Sequence, residues 1–231
     1  MEDLKISGYG KANGGNFKKI VITGFGEIFE DAICSDFHGS GSVKIRGKLQ
    51  TENLKYNGDV SVDNNLITNT CDVTGKLSVK GNIISNNISI FGDIGILGNC
   101  SNSNFIKING NLSCYGNITC ESFKLNGGSI SINEELCAEI VEIKSTQIDI
   151  NEIHATNVVI SKPFILSMKK KHININEIEC TSIVAAQLNC KKLCAQNVKL
   201  SKNCIVDTLE YSGNLDLEDG CIIKELIKIE K

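Results

Sequence analysis

Tryptophan is absent from the 231 residues, proline occurs once, and aromatic side chains make up only 5%. A globular domain of this size usually needs more large rings to fill a thick core. Few rings point instead to a thin core between regular strands. Long apolar runs are missing too. None approaches the roughly 18 residues that a membrane span needs. The opening Met1-Glu2-Asp3-Leu4-Lys5 has neither the basic nor the apolar region of a secretory signal, so a cytoplasmic place is expected. Net charge is −3, which offers no basic surface for nucleic acid and is not acidic enough to imitate it. An apolar content of 41% excludes a disordered chain.

Eleven cysteines are present. In a reducing compartment they are expected to act as small hydrophobes rather than as a disulfide framework. For the same reason triplets such as Asn87-Ile88-Ser89 carry no glycosylation meaning.

What the chain does have is a repeat. Gly24, Gly41, Gly58, Gly75 and Gly92 are spaced by 17 residues, and Gly110 and Gly127 continue the series after one 18-residue step. Seven glycines in register is not chance among 21. Apolar residues fall into columns at the same period. One runs Ile20, Phe37, Leu54, Cys71, Ile88, Phe105 and Phe123; a second pair of columns includes Val43 and Ile45, Val60 and Val62; a third includes Leu49 and Thr51, Leu66 and Thr68. Each unit therefore holds three apolar-x-apolar pairs, the signature of short strands with one buried face.

Strands this short cannot build a hairpin sheet of useful size. Coiling solves the problem, with each unit making one turn and each strand pairing in parallel with its equivalents above and below. The expected fold is an all-β, single-domain, three-sided parallel β-helix of about 13 turns spanning 1–231, a rod of roughly 60 Å at parallel strand spacing. Residues 1–140 hold the regular turns. Residues 141–231 hold shorter ones, where Ile173, Ile178, Ile183, Leu188, Leu193 and Val198 step by five. The glycines are expected at a corner that needs φ > 0 or close backbone approach. Asparagine pairs such as Asn64-Asn65 mark another corner. The single proline, Pro163, and Lys169-Lys170-Lys171 fall in an expected loop near 162–172.

No chemistry stands out on this scaffold. Gly8-Tyr9-Gly10 and Gly24-Phe25-Gly26 are not followed by a helical pattern, so a phosphate loop is not expected. Cys190 and Cys194 have a ligand-like spacing, but the repeat turns one inward and the other outward. Cys114 and Cys120 face inward from different sides. Cys204 and Cys221 stack one turn apart, and a disulfide there is disfavoured by a reducing compartment. His38, His154 and His172 sit at scattered outward or corner positions, and Glu134-Glu135 reads as a solvated turn. The Lys169–Lys171 run has charge enough only for weak contact with anionic lipid. No catalytic residue, cofactor or metal is expected, and an enzyme is not.

The pattern resembles the bactofilins, the polymer-forming cytoskeletal proteins of bacteria. The likeness rests on Leu4-Lys5-Ile6-Ser7-Gly8-Tyr9-Gly10, Ile22-Thr23-Gly24-Phe25-Gly26, Tyr56-Asn57-Gly58-Asp59-Val60 and Val73-Thr74-Gly75-Lys76-Leu77, and is best over residues 1 to 140. It implies a right-handed β-helix joining end to end into filaments without nucleotide. It implies roles in cell shape or in positioning other proteins, with further cytoskeletal or cell-envelope proteins as partners. This chain is longer than a minimal bactofilin core and opens without the flexible N-terminal tail of many members. Whether it lies at the inner face of the membrane is thus left open.

Physics points the same way. Leu4 and Ile6 lie in the first turn without a preceding cap, and Ile223, Leu226, Ile227 and Ile229 run nearly to the other terminus. Uncapped solenoid ends are templates for another chain, so these residues are the candidate polymer interface. The alternative is a non-polymeric binding module resembling pentapeptide-repeat proteins, suggested by the five-residue step from Ile173 to Val198.

Overall fold

The computed structural model describes residues 1–161 and 172–230. These form one sheet of 16 strands paired in parallel throughout, and no helix occurs among them. The sheet is wound into a β-solenoid of about 13 coils. The full-length strands Ala32–Ile45, Leu49–Val62, Leu66–Val79 and Ile83–Ile96 each carry most of one coil, bends included. Successive coils pair residue on residue: Leu49 on Leu66 on Ile83, Leu54 on Cys71 on Ile88, Val60 on Leu77 on Ile94.

Each regular coil buries three pairs, as the sequence pattern requires. In Leu49–Val62 they are Leu49 and Thr51, Leu54 and Tyr56, Val60 and Val62, and the residues between them reach solvent. The core is therefore a stack of like on like, all buried in one cluster from Ile6 to Leu209.

The inward polar residues have a backbone reason. Thr51 Oγ1 reaches the carbonyl oxygens of Ser35 and Asn53, Thr68 Oγ1 those of Glu52 and Thr70, and Ser85 Oγ those of Asn69 and Asn87. Each hydroxyl satisfies a carbonyl that the following bend takes out of the ladder. Cys114 and Cys190 do the same, their thiols lying 3.4 and 3.1 Å from the carbonyls of Gly116 and Lys192. Part of the cysteine content is thus weak-donor content at bends.

Two other ladders fix the bends. Gly24, Gly41, Gly58, Gly75, Gly92 and Gly110 all have positive φ, and a Cβ on any of them would strike the carbonyl of the glycine one coil earlier. At another bend the Asn65 side-chain oxygen accepts from the Asn82 amide, Asn82 from Asn99 and Asn99 from Asn117, each near 2.8 Å. An exposed ion-pair ladder runs alongside. Arg46 bridges Glu27, and Asp63 takes Lys80 at 2.8 Å, whose hydrogen bond holds the Asp63 carboxyl below its usual range.

The structure corrects the column at Phe105. That ring is 41% exposed and pairs with Asn87, whereas Ile106 is buried and pairs with Ile88. The extra residue of the 18-residue step sits before Phe105, at a bulge, and shifts the inward parity by one. Gly127 is corrected in the same way. A Cβ on Gly127 would meet open space, while Gly128 is the residue seated against the Gly110 carbonyl. Gly127 is itself the inserted residue, and both glycines keep positive φ.

Past residue 140 one coil step is short: Ile175 pairs with Cys190, Ile178 with Leu193 and Ile183 with Val198, fifteen residues apart. The steps after it lengthen again: Leu193 pairs with Leu209, sixteen residues on, and Leu209 with Leu226, seventeen on. The left-handed bends here fall on Gln187, Asn203 and Gly220, each just before an inward residue. Coil pairing runs from Gln147 to His172 across the interval in which the loop was expected; that loop lies outside the described residues.

The glycine ladder makes a clear prediction. Gly58→Ala places a Cβ against the Gly41 carbonyl at φ 130° and should cost about 2 kcal/mol or more. Gly95→Ala meets nothing within 4 Å and should change stability by no more than ~0.5 kcal/mol. Chemical denaturation followed by circular dichroism compares the two; equal midpoints would refute the packing account.

Candidate functional site: the open ends of the coil stack

The sheet has two terminal edges. Among the described residues, Leu4–Ala12 pairs only with Lys19–Ile28. At the far end Ile222–Lys228 pairs only with Ile205–Tyr211, and Leu215–Leu217 only with Val198–Leu200. Each edge leaves a row of backbone groups to water, which in a parallel sheet is a template for one more strand.

The first coil presents Leu4, Ile6, Gly10, Ala12 and Phe17 over the core. Ile6 is only 7% exposed, because its Cγ2 occupies the space beside Gly10 where a Cβ would lie. Leu4, Ala12 and Phe17 are half-buried against the layer below. Tyr9 and Phe25, stacked one coil apart, point outward and are exposed.

The last coil is barer. Leu226 continues the column of Leu193 and Leu209, both fully buried, yet is 49% exposed because nothing covers it among the described residues. Ile223 continues the Val206 column and is half-buried. Lys228 takes the inward place held by Tyr211 one coil earlier. The register separates the candidate interface residues. Ile227 pairs with Glu210, which pairs with Cys194, so it belongs to an outward column. Ile229 lies past the strand, its amide donating to the Tyr211 carbonyl at 2.8 Å. Of the six candidates, Leu4, Ile6, Ile223 and Leu226 close the core at its ends, whereas Ile227 flanks it.

The remaining candidates are dispersed. Cys190 is buried while Cys194 sits outside beside Glu179 and Glu210. Cys114 and Cys120 are both core residues, and Cys204 and Cys221 are free thiols in consecutive coils. No group of three or more His, Cys, Asp or Glu residues could hold a metal among the described residues. Burial pushes the Cys71 and Cys120 thiols up to about 12 and Cys114 to about 11, so none is a ready nucleophile. His154 lies 3.6 Å from Glu152 and 3.5 Å from Glu179 on the surface. The backbone of His172 pairs with that of Gln147. Lys169–Lys171 lies outside the described residues, and among those described no helix is long and apolar enough to cross a membrane.

One feature escaped the sequence pattern. His38, Lys55 and Asp72 stack outward on consecutive coils and line an open groove of about 450 Å³, with Gly39 and Tyr56 also in its wall. A Cβ on Gly39 would strike the Ile22 carbonyl, and the ring of Tyr56, 6.1 Å from that of Phe37, packs beside the gap. The Tyr56 hydroxyl is buried without a partner, and burial pushes its pKa up to about 12. The signal was Gly39 standing in a column of large residues.

Comparison with protein-family models, curated proteins and solved structures finds no match to this chain.

The buried thiols have a pH consequence. Their folded-state pKa values lie above the ordinary value of 9.0. The stability of holding them neutral is fully present below that value and is lost as pH rises toward 12. The melting temperature should hold to about pH 8 and fall by about pH 10.5. In native protein at neutral pH, a thiol reagent should label Cys137, Cys194 and Cys221, which are partly exposed, ahead of Cys71, Cys100 and Cys204. Uniform labelling would contradict the assigned burial.

Proposed function

We propose that this protein is a structural element whose chains join end to end into filaments without nucleotide, serving as a scaffold for cell shape or protein positioning. The observation that carries the reading is the pair of open parallel edges, each ending three pairs of inward columns. Contacts at both ends of one rod link it to two others, and repetition makes a filament. The bactofilin-like motifs support the same conclusion, and with it a cytoplasmic, three-sided and right-handed coil. The reading assigns no catalytic step and no cofactor.

Negative-stain microscopy of purified protein tests it. Filaments should form over a range of salt without added nucleotide. Monodisperse monomers at every concentration would overturn the reading and favour a binding module. Leu226→Asp should disperse the polymer with the β circular-dichroism signal retained, because Leu226 is already half-exposed. Ile227→Asp, in an outward column, should weaken assembly less. Ile6 is a poor probe of the interface, since its burial makes a charge there a folding defect.

A further inference from the structure

We infer that Cys204 and Cys221 form a modification site, at which a peroxide oxidant closes a reversible disulfide between two successive coils. The site is independent of whether the chains polymerise. Leu112, Ile130, Ile148 and Ile173 fill one inward column coil after coil, and Leu188 follows them. Cysteine then takes the same place at two consecutive levels. The backbone shows the equivalence directly. The Ile205 amide donates to the Leu188 carbonyl at 2.7 Å, and one coil on the Ile222 amide donates to the Cys204 carbonyl at 2.8 Å.

No other two cysteines meet across the ladder among the described residues. Cys71 stacks between Leu54 and Ile88, and Cys190 between Ile175 and Val206. Cys194 stacks between Glu179 and Glu210, and Cys137 between Thr119 and His154. Elsewhere, then, a cysteine is a single residue in a column of other types.

The geometry suits a bridge. Neighbours in a parallel ladder have Cα atoms about 4.8 Å apart, inside the range of about 4.4–6.8 Å that disulfides span. Both side chains leave the backbone after a left-handed residue, Asn203 at φ 64° and Gly220 at φ 87°. The two thiols are in hydrogen-bonding contact with each other. Their other partners are backbone carbonyls: Ala185 lies 3.7 Å from Cys204 Sγ, and Leu200 and Ser201 lie 3.6 and 3.3 Å from Cys221 Sγ. A thiol is a weak donor, so these contacts are given up at little cost. No third His, Cys, Asp or Glu completes a metal site with them among the described residues. The pair is a dithiol rather than half of a zinc centre.

Hydrogen peroxide supplies the oxidising equivalents. One thiolate attacks the peroxide, the O–O bond breaks, and the sulfur becomes a sulfenic acid as water leaves. The neighbouring thiol attacks that sulfur, and the S–S bond forms as a second water leaves. The two thiols lose two electrons and two protons in all, and the peroxide takes both up. A dithiol reductant reverses the bond by exchange. The closed loop contains Leu215–Leu217 and ties the coil of Ile205–Tyr211 to that of Ile222–Lys228.

The unmodified full chain tests this. It is treated with hydrogen peroxide under native conditions, alkylated in denaturant and cut after glutamate without reduction. Cleavage at Glu210 and Glu218 separates the two cysteines. Mass spectrometry should find their peptides linked, with Cys71 and Cys190 alkylated, and dithiothreitol should abolish the link. Hydrogen exchange at the Ile222 amide should slow at least about tenfold in the oxidised chain. Cys204→Ala and Cys221→Ala should each remove both effects. If either variant unfolds, the reduced and oxidised forms of the unmodified chain carry the comparison alone. Alkylation of both thiols after peroxide, or bridges scattered among the other cysteines, would overturn the inference. A bridge that leaves Ile222 exchange unchanged would overturn the tying of the two coils.

Discussion

Everything in this molecule follows from one requirement: each backbone amide must find a carbonyl one coil away, in register. Parallel strands joined by short bends meet it only if successive coils superimpose. Superposition puts like on like, and so produces the columns, the glycine ladder and the asparagine ladder together. The glycines are needed because a regular coil brings each bend against the carbonyl of the bend before it. The asparagines are needed because another bend turns an amide away from the ladder, and the side chain of the preceding coil accepts it.

The period was legible because it repeats, and the inward pairs were legible because they alternate. Legibility failed where one residue is inserted. At Phe105 the spacing says that a coil has gained a residue but not where. Two apolar residues, Phe105 and Ile106, compete for one inward place, and only the three-dimensional register decides in favour of Ile106. Gly127 and Gly128 present the same ambiguity with two glycines. Ile227 failed for a related reason. Near a chain end, no further coil shows which of two neighbouring apolar residues continues the column, and pairing with Glu210 settles it. The dent at Gly39 was visible as a small residue among large ones, but its depth depends on where the Tyr56 ring goes, which no periodicity encodes.

The two halves meet the same requirement differently. In the first, a glycine of positive φ lies two residues before the next inward residue, as Gly58 does before Val60. In the second, Gln187, Asn203 and Gly220 take the left-handed place directly before it. Asparagine tolerates that conformation, so the glycine column can end without the ladder ending. Thr51, Thr68 and Ser85, with Cys114 and Cys190, show a further economy. A small inward donor serves the core by its size and the bend by its hydrogen bond, so threonine, serine and cysteine interchange along one structural role.

An open coil end is chemically the same surface as any plane between two coils inside the rod. Within the chain that plane forms without loss of translational freedom, because the next coil is covalently attached. Between chains it must overcome an association cost of about 4 kcal/mol or more. A junction of the proposed kind would draw on the same contacts as the interior: backbone pairs at roughly 1 kcal/mol net each and the burial of apolar columns. What would distinguish such a junction is its dependence on concentration rather than a new kind of contact. Assembly by such a surface is graded by how completely the terminal coils imitate adjacent ones.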